Sequence, residues 1–147
     1  VSVAVDVSRE DVRIALSEQR VREIVRAVCR RERVSRALIS VAFVRKSRMA
    51  RMNREFLGHR GATDVITFEL GRRTTEPAGN AIIGDIYIAP EVARENAVAH
   101  GIGVRAELAR LIVHGTLHVL GYTHDEGDAR THGEMWRRQE AILAATV

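Results

Sequence analysis

The chain opens on a two-residue rhythm. Val1, Val3, Val5 and Val7 alternate with small or polar residues in "VSVAVDV", the period of a strand with one buried face. The rhythm then lengthens: from Ser17, a predicted N-cap, Val21, Ile24, Val25 and Val28 recur at helical spacing to about residue 33. "ALISVAFVR" predicts a second strand. "SRMARMNREFL" predicts a short helix capped by Ser47, with Met49, Met52 and Phe56 on one side, and "GHRGA" breaks it. "TDVITFEL" is strand-like, and "GRRTTEPAGN" carries the turn formers of an exposed loop. A fourth strand, "AIIGDIYIA", puts Ile82, Ile86 and Ile88 on one face and Asp85 and Tyr87 on the other, so Asp85 points away from the apolar face. Pro90 suits a first helical turn, and the helix "PEVARENAVAHG" ends at Gly101, a natural C-cap. "VRAELARLIVHGTLHVL" forms a longer helix that stops at Gly121, and "EGDARTHGEMWRRQEAILAA" forms the last one.

Four strands interspersed with about five helices predict a single α+β domain over residues 1–147, built on a small mixed sheet. The helix "ELARLIVHGTLHVL" is apolar nearly all round and belongs at the centre. At 147 residues the chain supports one core, and 46% hydrophobic with 29% charged residues excludes a disordered chain. No apolar run approaches the roughly 20 residues that cross a bilayer, and the N-terminus has no basic segment followed by an apolar one, so no membrane association or export is expected. A single cysteine, Cys29, excludes an internal disulfide and fits the cytoplasm. Its place beside Val21, Val25 and Val28 makes it a buried hydrophobe, not a nucleophile.

The net charge is +4, and Lys46 is the only lysine among 23 basic residues. Arginine binds phosphate through a planar fork, so a nucleic-acid partner is compatible with this surface, although a charge this modest does not establish one.

The chemistry concentrates in "HGTLHVLGYTH". His114 and His118 are one turn apart on one face of the buried helix, so their rings can converge on a point. Gly121 allows the chain to turn sharply, after which His124 can return as a third ligand. Burying several imidazoles without a shared partner is costly, and three nitrogen ligands leave a fourth position open, as in a catalytic zinc site. Imidazole also suits nickel, copper and iron. The spacing matches the metzincin protease template at each metal-binding position and at the glycine, but Gly115 stands where that template has its general-base glutamate. His59, His100 and His132 have no partner spacing and are expected at the surface, while Met135 and Trp136 are expected in the core.

With "MNREFLGHRGATDVITFEL", "IGDIYIAPE" and a final helix carrying Met135, Glu140, Ile142 and Leu143, the histidine motif resembles the bacterial YbeY-type endoribonucleases, the ribosomal RNA maturation factors, over roughly residues 38–143. The resemblance implies a metal-dependent hydrolase of single-stranded RNA. It would act in maturation of the small-subunit ribosomal RNA precursor and in ribosome quality control, with the small ribosomal subunit and its assembly factors as partners. His114, His118 and His124 would be the zinc ligands. Two departures stand out: Thr123 replaces the family aspartate before the last histidine, with Asp125 following it, and Leu57 replaces a family arginine. Arg60 is the candidate replacement cation for the growing negative charge, and Asp85 the candidate to orient the water or a ligand histidine. Two alternatives share the same motif. One is a metallopeptidase-like hydrolase using another carboxylate, such as Asp85 or Glu126; the other is a non-catalytic RNA or ribosome assembly factor with a structural metal, its fourth ligand Asp125.

Overall fold

The fold comes from a computed structural model that describes residues 2–75, 79–123 and 133–146. Strand β1 (Ser2–Arg9) leads to α1 (Glu18–Arg31), β2 (Arg36–Phe43) and α2 (Lys46–Leu57). Strands β3 (Val65–Thr75) and β4 (Gly79–Ile88) follow, then α3 (Pro90–His100), α4 (Val104–Val119) and α5 (Glu134–Thr146). The sheet order is β1-β2-β4-β3, with β3 antiparallel to β4 and the other pairs parallel. This is the mixed four-stranded α+β domain expected. Among the described residues, no helix is long and apolar enough to cross a membrane.

The alternation along the strands decides which side of the sheet is covered. Ile82, Ile86 and Ile88 are buried and join Val5, Val7, Ile39 and Val41 in one core with α1, α4 and α5. Helix α4 lies directly on β4: a methyl group placed on Gly84 would collide with Val119, and one on Gly115 with Ile86. The opposite face is covered mainly at one end, where Met49 and Met52 of α2 meet Val44, Ile66, Ala89 and Val92. Cys29 is fully buried, and burial pushes its thiol up to about 11, which fits the expectation of an inert packing residue.

Two local expectations are corrected. Ser17 does cap α1, its hydroxyl accepting from the Arg20 N–H at 3.0 Å, but Ser47 lies inside α2. The N-cap position is Arg45, and two carboxylates from other elements do the capping. Glu10 accepts from the Arg45 N–H at 2.9 Å and Glu91 from the Lys46 N–H at 2.7 Å. The second correction concerns "GRRTTEPAGN", which is largely strand. Between Glu69 and Arg72 the register shifts by a bulge, with Gly71 at φ 93°, and pairing resumes through Thr75 and Gly79. The turn formers mark a bulge as well as a turn.

Candidate metal centre

Helix α4 carries His114 and His118 half-exposed in a run that is otherwise mostly buried. Helical spacing brings their rings to 4.6 Å between centroids, and their Nε2 atoms to 3.1 Å. The hydrogen bonds on the other ring nitrogens indicate which of them carry a proton. His118 Nδ1 lies 2.9 Å from the carbonyl oxygen of Tyr122, which can only accept. His114 Nδ1 lies 2.7 Å from Gln139 Oε1, and the amide is oriented by its own Nε2, which donates to Glu140 at 3.2 Å. Both Nδ1 atoms therefore donate, and in neutral rings both Nε2 atoms present lone pairs toward one another.

At 3.1 Å the two Nε2 atoms are close enough to share a proton or a metal cation. Two nitrogens each about 2.0–2.1 Å from a tetrahedral zinc stand roughly 3.3 Å apart, so this donor pair fits one divalent ion. Acceptors on the far nitrogens are the usual supports of metal-binding histidines.

The turn after α4 is built for this arrangement. Gly121, at φ 110°, donates to the His118 carbonyl at 3.0 Å, and Tyr122 N–H donates to the Leu117 carbonyl at 3.0 Å. Together these bonds form the Schellman ending that a left-handed glycine permits, and it folds the Tyr122 carbonyl back to His118. Gly121 thus makes the sharp turn expected of it. His124, with Asp125, Glu126 and His132, lies outside the described residues. Among the described residues no set of three or more His, Cys, Asp or Glu side chains converges as a metal site. Those residues hold a pair of histidines, and the third member of the cage that the motif predicts lies beyond them.

Helix α5 locks the pair from the side. Gln139 is buried, and Arg110, one turn before His114, joins Glu107 at 3.3 Å to Glu140 at 3.2 Å. From the other side, a glutamate chain or any larger group at position 115 has no room: even a methyl there would stand 2.8 Å from Ile86 Cγ2 and 3.4 Å from Thr67 Cγ2. The absent protease glutamate has a physical reason, since position 115 faces the sheet.

Asp85 requires a correction. It accepts a hydrogen bond from Ser40 Oγ at 2.6 Å, and the neighbouring Gly84 and Ile86 are the residues that meet α4. Alternation puts Asp85 on the opposite side of the sheet from the histidines, so it neither orients their rings nor reaches a water beside them. Its partner is Ser40. Arg60 is exposed, in the loop leading to β3. Buried Asn53 anchors that loop, its side-chain amide donating to the Gly61 carbonyl at 2.9 Å. Leu57, at the place of the family arginine, is 47% exposed. His59 and His100 are exposed and Met135 is buried, as expected, while Trp136 is only half-buried.

Tyr122 lies inside the "HGTLHVLGYTH" motif, but nothing in the pattern assigns it the role the structure shows. Its hydroxyl donates to Glu32 at 2.6 Å and accepts from Arg138 Nε at 3.3 Å. The hydrogen bond to the Glu32 carboxylate, with burial, raises the phenol above its ordinary value, so it remains a neutral donor. Nothing in local spacing marks Gln139 or Glu32 either, because each comes from a different helix.

A family model described as "Endoribonuclease YbeY" matches residues 4–147. Among curated relatives, an Endoribonuclease YbeY of Halalkalibacterium halodurans is 36% identical over 137 residues, spanning 87% of this chain and 85% of its own. One from a Mycobacterium species is 34% identical, over 96% of this chain and 82% of its own, and one from Geobacillus kaustophilus is 39% identical over 74% and 72%. A solution structure of a Thermotoga maritima protein shares the fold with a TM-score of 0.66 at 24% identity, covering 97% of this chain and 88% of that one. With a match running almost from end to end, the chain belongs to the YbeY endoribonuclease family.

Proposed function

We propose that this protein is a zinc-dependent, single-strand-specific endoribonuclease. In this reading it acts in maturation of the small-subunit ribosomal RNA precursor and in ribosome quality control, in the cytoplasm, with the small ribosomal subunit and its assembly factors as partners. One observation carries the metal part of the reading: two Nε2 atoms 3.1 Å apart, each backed by an acceptor on its Nδ1. The nuclease part rests on the family. His114 and His118 would hold the ion, with His124 the third ligand proposed from the motif. Gln139 and the Tyr122 carbonyl keep the two rings in the tautomer that binds. A divalent ion held there supplies Lewis acidity toward a water and a phosphoryl oxygen. Nickel or another divalent metal would suit the same imidazoles.

The packing of Gly115 disfavours the protease arrangement at this centre, since position 115 has no room for the glutamate that follows the first histidine there. A phosphodiester needs no protonated amine leaving group, and a cation that offsets charge on the phosphate is the more useful accessory. Arg60 is the proposed cation: its loop is anchored by Asn53, and its guanidinium has no hydrogen bond or ion pair among the described residues.

The test is cleavage of a labelled single-stranded RNA by wild type, by His114→Ala, and by chelator-stripped protein before and after zinc is restored, all matched for folded content. Activity that disappears with the metal and with His114 and returns with zinc supports the proposal. Equal cleavage by every preparation would identify a contaminating nuclease. Binding of RNA or ribosomes without cleavage would favour the assembly-factor reading.

A further inference from the structure

Tyr122 is held at both ends. Its backbone is set by the Schellman turn, and its carbonyl accepts from His118 Nδ1 at 2.9 Å. Its hydroxyl reaches 90 residues back along the chain to Glu32, which ends α1 and whose side chain is only 8% exposed. Arg138 of α5 closes the group, with Nε 3.3 Å from the Tyr122 hydroxyl and 3.7 Å from the second Glu32 oxygen.

We infer that Glu32, Tyr122 and Arg138 form a clamp that positions His118, so that contacts made by α1 and α5 set the tautomer and the metal affinity of a ligand on α4. The inference rests on the metal-binding reading above. A carboxylate as buried as Glu32 needs its partners, and the Tyr122 hydroxyl is the one at shortest distance. The ring packs against the core on one side and is half-exposed on the other, where it lines a surface cavity of about 380 Å³ with Glu32, Arg36 and Leu120. A second cavity, of about 270 Å³, lies where Glu32 meets Arg138 and Ile142. Without the hydroxyl contact the turn at Tyr122 is held only by its two backbone hydrogen bonds, and the carbonyl that fixes His118 gains freedom. Outer partners of metal-binding histidines characteristically change affinity about 10–100-fold.

The experiment uses the full chain and two readouts: long-range proton–nitrogen correlation of the histidine rings in metal-free protein, and zinc affinity by competition with a chromophoric chelator. Tyr122→Phe keeps the ring and removes only the hydroxyl. It is expected to convert His118 from one tautomer to a mixture and to weaken zinc binding about tenfold. Glu32→Gln retains an acceptor for the hydroxyl and should stay near wild type, whereas Glu32→Leu should behave as Tyr122→Phe does. Gln139→Leu should disturb His114 and leave the His118 signals in place. If Tyr122→Phe keeps wild-type His118 signals and zinc affinity, the clamp is wrong. If wild type takes up no zinc, the metal reading fails, and the ring signals of the metal-free variants still decide the clamp.

Discussion

Gly115 shows how one residue connects the sheet to the site. It sits between the two histidines in sequence, but its Cα faces Ile86 and Thr67, and both of those side chains branch at Cβ and yield little. Gly115→Ala removes a helix-interior glycine, worth up to about 1 kcal/mol in favour of the variant. It also forces a methyl to 2.8 Å from Ile86 Cγ2, and overpacking of this kind costs about 1–3 kcal/mol. The net expectation is a loss of about 1 kcal/mol, read from urea unfolding of metal-free protein. At this scale much of the centre is legible in the sequence, because the i, i+4 spacing of His114 and His118 is a property of any helix. Their supports are not. Gln139 lies on another helix, and the Tyr122 contribution is a backbone carbonyl, which carries no residue-type signal. For Asp85 the sequence indicates the right face of the strand and the wrong role, since the alternation that turns it from the apolar face also turns it from the helix packed there.

Helix α2 illustrates what an element borrows from its neighbours. Its own N-cap residue makes no side-chain cap bond, and the first N–H groups are satisfied by Glu10 and Glu91. The Arg45 N–H and the Arg48 guanidinium hold the Glu10 carboxyl below its ordinary value of 4.5. A carboxyl depressed in the folded state adds stability that is complete above its unfolded value and is lost as pH falls through the folded one. Wild type should therefore melt higher than Glu10→Gln at neutral pH, and the gap should close as pH falls below the ordinary carboxyl range, as thermal melts across an acid series would show. A melting gap that stays constant with pH would refute this role. Periodicity locates α2 to within about a residue, but its cap is a tertiary contact. "GRRTTEPAGN" misleads for a related reason: a glycine at a bulge and a glycine in a turn look the same in sequence, and only pairing with β4 separates them.

For the whole molecule, the metal reading predicts that zinc stabilises the folded chain by mass action. At free zinc about 100-fold above the dissociation constant the gain is about 2.7 kcal/mol, and the rise in melting temperature should vanish in His114→Ala and shrink in His118→Ala. Equal shifts in all three proteins would place the ion elsewhere. The fold class is legible from the mixture of periods, but the strand order is not, since the parallel pairing of β2 with β4 across two intervening elements leaves no local mark. That order has a kinetic consequence. Strands β3 and β4 are joined by a short connection, whereas pairing Ser2 with Arg36 or Ala37 with Ile82 must close long stretches of chain. The β3–β4 hairpin and the helix laid on it span a contiguous segment that ends with the two histidines, so this half is expected to assemble early. A chain that has yet to add β1 would already present both imidazoles, and if they hold the proposed ion, its capture at that stage would help drive the rest of the sheet to completion.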